Sequence, residues 1–212
     1  MRPRLLPNKN GPPKATPKQI FSNVPYRFLV AGLFFVTWGL FFPIYYLQVF
    51  ASEKGLSLNL TFYTLAILNA ASTFGRITPN FLADKIGTIN MIAFMCWGAG
   101  TMCFTVFGAA TPGGLIAVAI VFGFFSGGYA SLLTPALISL CSKFTEIGIR
   151  LGLSFLVMSV AALTGTPITG ELLARYGFYA PIIFSGISIC LGSALMTVTI
   201  VLQRRVKGTW KV

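Results

Sequence analysis

The stretch Gly75-Arg76-Ile77-Thr78-Pro79-Asn80-Phe81-Leu82-Ala83-Asp84-Lys85-Ile86-Gly87 decides how the rest of the chain is read. It follows 21 uncharged residues, those between Lys54 and Arg76, and closes on an acidic–basic pair and a glycine. A helix needs about 20 consecutive, mostly apolar residues to cross a membrane. Arg76 then lies inside a span, about one turn from its inner end, with Asp84 and Lys85 beyond it. A charge inside a span is by default a functional residue. Asn69, Ser72, Thr73, Arg76 and Asn80 recur at spacings of three and four, which sets them on one helical face. A polar stripe ending in a cation describes a helix that lines a water-filled cavity. The competing reading is an Arg76 stem that snorkels to the headgroups.

The same arithmetic extends outward along all 212 residues. Uncharged intervals of 25, 57, 20 and 28 residues separate Arg27 from Glu53, Lys85 from Lys143, Arg150 from Glu171 and Arg175 from Arg204. The longest interval divides at Thr111-Pro112-Gly113-Gly114, a turn-like cluster. Six spans result, near 27–50, 59–80, 88–109, 113–139, 151–172 and 180–203. With 55% apolar and 9% charged residues, and a mean hydropathy of +0.80, the composition excludes an ordinary soluble domain. The expected fold is all-α, a polytopic six-helix membrane domain over residues 26–204. A disordered basic segment, 1–25, precedes it, and a basic tail, 205–212, follows.

A net charge of +12 would point to nucleic acid in a soluble protein, but its placement points to topology instead. Thirteen of the sixteen basic residues fall on one side of the six spans; Lys54 and Arg175 fall on the other, and Arg76 is left over. Cytoplasmic loops collect Lys and Arg, so both termini are expected to be cytoplasmic, with the plasma membrane as the expected location. No basic stripe with interleaved aromatics marks a nucleic-acid groove. Cys96, Cys103, Cys141 and Cys190 lack metal-ligand spacing and the chain has no histidine, so neither a metal nor another cofactor is implied. Paired intramembrane carboxylates and a nucleophile constellation are also missing, which leaves an intramembrane enzyme without support.

The spans carry helix-perturbing residues, among them Pro43, Gly165 and Pro167, which are candidate hinges, while Gly123 and Gly127 form a small-xxx-small face for close helix approach. The opening stretch also has a partner. Gly165 through Gly177 repeats its pattern 90 residues later, with Gly75 matching Gly165, Leu82 matching Leu172, Lys85 matching Arg175 and Gly87 matching Gly177. One copy ends its span inside and the other outside, three helices later. Inverted three-helix repeats of this kind build many secondary transporters, so two such repeats are the expected arrangement.

Residues 80–87, Asn-Phe-Leu-Ala-Asp-Lys-Ile-Gly, resemble the loop signature of the major facilitator superfamily, roughly Gly-x-Leu-Ala-Asp-Arg-x-Gly. Asn80 departs at the first position, and Thr88 and Ile89 stand where a basic pair follows. With Trp38-Gly39-Leu40-Phe41-Phe42-Pro43, Tyr45-Tyr46, Gly75-Arg76, the glycine-rich fourth span and Gly165-x-Pro167-x-x-Gly170, residues 25–205 resemble the C-terminal half of fungal monocarboxylate transporter-like permeases. The resemblance implies that Arg76 pairs a substrate carboxylate, with Ser72, Asn69 and Tyr45 beside the path. Asp84, Lys85 and Gly87 would form an inner gate, Asp84 facing the N-terminus of span five near Gly148 to Leu153. Ser72 stands where the family places an aspartate, so carboxylate recognition carries over and proton coupling through this helix does not.

The implied function is alternating-access transport of a small organic anion, in the first place a monocarboxylate. A proton is the candidate co-substrate and the lipid bilayer the surrounding partner. Superfamily permeases or exporters of vitamins, sugars or drugs are alternatives, as is a truncated fragment that transports nothing. In this superfamily the path runs between two six-helix halves, so the N-terminal half, or a second copy of the chain, is an expected partner.

Overall fold

A computed structural model describes residues 17–141 and 144–207. After a short helix α1 (Pro17–Phe21), six helices of 18 to 30 residues follow: α2 (Val24–Glu53), α3 (Leu58–Ile86), α4 (Thr88–Thr105), α5 (Pro112–Ser139), α6 (Ile147–Tyr176) and α7 (Tyr179–Lys207). Single 3₁₀ turns, Val106–Gly108 and Phe144–Glu146, lead out of α4 and into α6. Their starts are written in short polar residues. Asn23 Oδ1 accepts from Tyr26 N at 3.4 Å, Ser57 Oγ from Leu60 N at 3.4 Å and Thr111 Oγ1 from Gly114 N at 3.1 Å, each satisfying a donor that the first helical turn leaves over.

Where the sequence places loops, the helices run further. The inner loop expected at 81–87 shrinks to Gly87, and the outer loop expected at 173–179 to Gly177 and Phe178. Nothing in Phe81-Leu82-Ala83-Asp84-Lys85-Ile86 breaks a helix: Leu, Ala and Lys propagate one well, and a single Asp costs only a fraction of a kcal/mol, about 0.7 at most. The breaks fall at glycines in the left-handed region, Gly87 at φ 103° and Gly177 at φ 66°, whose N–H groups donate to Ala83 O and Leu173 O at 2.9 and 3.0 Å. Asp84 and Lys85 therefore occupy the last turn of α3 instead of a free loop. At the N-terminus, α1 forms inside the segment expected to be disordered and buries Ile20. The expectations for residues 1–16 and 208–212 lie outside the described residues.

Among the described residues, five helices are long and apolar enough to cross a membrane: α2, α4 with its 3₁₀ turn, α5, α6 with its preceding turn, and α7. The exception is α3. At 1.5 Å per residue its 29 residues extend about 43 Å, so length is no obstacle. What lowers its apolar character is the polar face through Asn69, Ser72, Thr73, Arg76 and Asn80.

Packing follows the small residues. On one side α3 lies against α5, and on the other α2 lies against α7 and α6, with α4 between α5 and α7. Glycines permit each close approach. A Cβ on Gly75 would run into the Phe124 carbonyl of α5, and Cβ atoms on Gly123 and Gly127 would meet the Leu68 and Ser72 carbonyls of α3. The small-xxx-small face on α5 is thus the seat of α3. Gly165 makes the corresponding approach from α6 to α2, where a Cβ would lie 2.7 Å from Trp38 O. Pro43 is buried within α2 and Pro167 exposed within α6; both helices continue through them.

Candidate functional site

Four helices, α2, α3, α5 and α6, enclose a cavity of about 400 Å³. From α3 come Asn69, Ser72 and Arg76, one turn apart along one edge, as their spacing predicts. From α5 come Ser126, Tyr129 and Thr134, and from α2 Thr37, with Phe41, Leu133, Phe155 and Met158 supplying apolar walls. The remaining members of the sequence stripe lie elsewhere. Thr73 is exposed and donates to Asn69 O at 3.2 Å, and the Asn80 amide donates to Arg76 O without lining the cavity.

The cavity floor is polar and preorganised. The hydroxyls of Tyr129 and Thr37 lie 2.8 Å apart, and both reach the Leu33 carbonyl, Thr37 at 2.8 Å and Tyr129 at 3.3 Å. That carbonyl is already engaged within α2, so the two hydroxyls fix each other across 92 residues of sequence. Ser126 Oγ donates to Gly123 O at 3.1 Å, which leaves its oxygen free to accept. A guanidinium offers a planar fork that pairs both oxygens of a carboxylate. Arg76, exposed at the cavity edge and flanked by Ser72 and Asn69, can therefore hold an anion whose apolar body lies against Phe41, Leu133 and Phe155.

Tyr45 falls outside this enclosure. It is 56% exposed and stacks on Phe41, ring centroids 5.8 Å apart, one residue past Ile44, which does line the cavity. Asp84 and Lys85 are exposed at the end of α3, and α3 makes at most marginal contact with α6, so the structure does not bring Asp84 onto the α6 N-terminus. The gap between α3 and α6 leaves the cavity open on one side. Both helices turn large apolar side chains outward, including Phe74 at 68% exposure and Leu163 at 76%.

A second polar cluster does occupy the start of α6, and sequence reasoning assigned its central residue, Arg150, to topology alone. Arg150 is 5% exposed. Its Nε and Nη2 donate to Glu146 Oε2 at 3.2 and 3.0 Å, and its Nη1 to Leu140 O at 3.2 Å. The guanidinium lies over the Tyr26 ring, 5.2 Å from its centroid, while the Tyr26 hydroxyl donates to Arg150 O at 2.7 Å beside Ser154. One residue thereby ties the beginnings of α2 and α6 to the end of α5. The i, i+4 spacing of Glu146 and Arg150 was the available signal. Beside them, burial pushes the Cys141 thiol up; Arg150 opposes this shift and Glu146 adds to it. Removing one partner of a buried pair strands the other charge, at a cost of about 3 kcal/mol. Arg150→Gln is expected to lower the melting temperature of the purified protein by several degrees; an unchanged thermal scan would show that this cluster is not structural.

Long apolar helices around a partly polar, cation-bearing cavity define an integral, multi-pass membrane protein. The chain is related in sequence to fungal transporters of the MFS type. It is 36% identical over 197 residues to the aspyridones efflux protein apdF of Emericella nidulans, matching 92% of this chain and 40% of that protein. It is 37% identical over 200 residues to the fujikurins efflux protein of Gibberella fujikuroi, matching 92% and 43%, and 41% identical over 172 residues to MFS-type transporter 1 of an Ophiocordyceps species, matching 80% and 38%. The chain thus spans about two fifths of the length of these curated relatives. No protein-family model matches it. The relatives named here are transporters and efflux proteins.

Proposed function

We propose that the chain forms a six-helix half of a major facilitator carrier that moves an organic anion across the membrane by alternating access. The observation that carries this reading is the Arg76 guanidinium at the edge of a cavity walled by hydroxyls on one side and by rings and aliphatic groups on the other. Cargo of that shape is a carboxylate with an apolar body, of which a monocarboxylate is the simplest member. The relatives named as efflux proteins favour outward movement. Both termini would face the cytoplasm, at the plasma membrane.

The helix packing supports two three-helix repeats, α2–α4 and α5–α7. Exchanging α2 with α5, α3 with α6 and α4 with α7 carries the α3–α5 contact onto α6–α2 and the α2–α7 contact onto α5–α4. It also carries Gly75 on the Phe124 carbonyl onto Gly165 on the Trp38 carbonyl, and the Gly87 break onto the Gly177 break. The open side between α3 and α6 is where a second six-helix body would close the path, either an N-terminal half or another copy. Gly165 and Pro167 would accommodate the rocking of α6, Pro43 that of α2, and a proton would be the co-substrate to test.

Flux measurements decide the cargo. In proteoliposomes, carboxylic acids graded from short to long acyl or aromatic bodies are compared with their uncharged amides, for the protein alone and joined to an N-terminal half. Acids with larger apolar bodies are expected to move about tenfold or more faster than their amides, the scale of one charge-assisted bidentate contact. Equal flux of acid and amide would remove Arg76 from the recognition of cargo.

A further inference from the structure

A second concavity, larger than the cavity and sharing no residue with it, runs along the seam of α4 and α7 at the end where α3 stops. Its volume is about 580 Å³. Lys85 from the last turn of α3 and Arg204 from the last turns of α7 stand at its mouth, with Asn90 from the first turn of α4 beside them. Deeper along the seam the lining becomes apolar: Phe94 and Trp97 on α4 and Ile200 on α7. From Asn90 to Trp97 the groove descends seven residues of helix, about 10 Å. Trp97 Nε1 donates to Thr197 Oγ1 at 3.2 Å, which stitches the two helices together under the groove and holds the indole in place. Phe94 is 59% and Trp97 40% exposed, on the flank away from the open side of the cavity.

Cations at the mouth and rings along the depth match the polarity gradient of one molecule type, a phospholipid with its phosphate at the interface and an acyl chain below it. The charge of this end of the bundle selects among phospholipids. Arg27, Lys85, Arg204 and Arg205 lie here with Asp84 and the mutually paired Glu146 and Arg150, whereas the opposite end sets Glu53 beside Lys54 and pairs Glu171 with Arg175. Basic pockets between membrane helices attract anionic headgroups, each cation contributing a roughly fivefold gain in binding. We propose that this groove seats an anionic phospholipid, its phosphate between Lys85 and Arg204 and one acyl chain along Phe94, Trp97 and Ile200. Lys85, assigned to gating by resemblance, then reads the lipid composition of the leaflet.

The indole in the groove reports its own occupancy. The chain has three tryptophans, so the variant W38F/W210F leaves Trp97 as the single emitter. In lipid–detergent mixed micelles, brominated phosphatidylglycerol is expected to quench Trp97 at a mole fraction about 25-fold lower than brominated phosphatidylcholine does, two cations acting together. Adding K85Q/R204Q should bring the two lipids within about twofold, with phosphatidylcholine quenching unchanged as the sign that the groove itself is intact. Millimolar inorganic phosphate should not displace the anionic lipid. Equal quenching by the two lipids in the parent protein overturns the proposal. So does a preference that survives K85Q/R204Q, or displacement by phosphate, which reassigns the mouth to a free anion. Failure of both lipids to reach Trp97 overturns it too, because another protein segment then covers the seam.

Discussion

Arg76→Gln is expected to abolish flux of the carboxylate cargo while the protein still reaches the membrane in wild-type amount. Glutamine keeps the aliphatic stem as far as Cδ and some hydrogen bonding, but it is shorter than arginine and removes the charge and the planar fork. In the cavity that fork has no substitute: its lining is otherwise Asn69, hydroxyls and apolar groups, with no second cation. A charge-assisted, bidentate pair in a site of lowered dielectric contributes about 2–4 kcal/mol, a loss of about 30- to 1000-fold in uptake or efflux rate at low substrate. Stability should change little, because the guanidinium is exposed and stands at the cavity edge instead of inside a packed interface. Arg76→Lys separates charge from geometry: it keeps the cation, loses the fork, and should retain a fraction of the activity. Flux in Arg76→Gln equal to wild type, normalised to protein in the membrane, would falsify the assignment of Arg76 to the substrate. Loss of protein from the membrane would instead place it in the fold.

Gly75→Leu is expected to give no folded protein. The Cβ position of Gly75 is already occupied by the Phe124 backbone, so α3 and α5 would have to part along their whole contact and could not accommodate the change with a single rotamer. Overpacking against a flexible side chain costs about 1–3 kcal/mol, and against a rigid helix backbone more. In a membrane there is little hydrophobic force between helices to compensate, since association there rests on close packing. Gly165→Leu should fail in the same way at the α6–α2 approach, where the Trp38 carbonyl is in the path. Gly113→Ala, at a position with open space around it, should be recovered at wild-type yield. Size-exclusion profiles of the three variants make the comparison. A monodisperse Gly75→Leu protein with wild-type stability would mean that α3 and α5 do not pack as described.

Much of this was legible in the order of residues. Five of the six spans expected from charge spacing are helices apolar enough to cross a membrane, and the sixth, α3, departs because of the polar stripe that its sequence displays. Asn69, Ser72 and Arg76 line the cavity together because a spacing of three or four is a contact rule local to one helix. The connections are shorter than the charge spacing predicts. Hydropathy marks where apolar character ends, whereas a helix ends at a residue that cannot continue it, here Gly87 and Gly177. Tyr45 and Asp84 were placed by resemblance, and neither the rotation of α2 nor the separation of α3 from α6 can be deduced from a motif.

The sequence by itself determined the apolar character of five long helices and the shared face of Asn69, Ser72 and Arg76, because each of these depends on composition or on spacing along a single helix. Tertiary structure alone decided which helices share a wall. It set Thr37 against Tyr129, made Arg150 a buried tie between three helices, and gave Lys85 and Arg204 a common groove. The Thr37–Tyr129, Tyr26–Arg150 and Lys85–Arg204 pairings join residues about a hundred positions apart. They depend on where a glycine lets two backbones approach and on how each helix is turned when they do, and no local pattern carries that information.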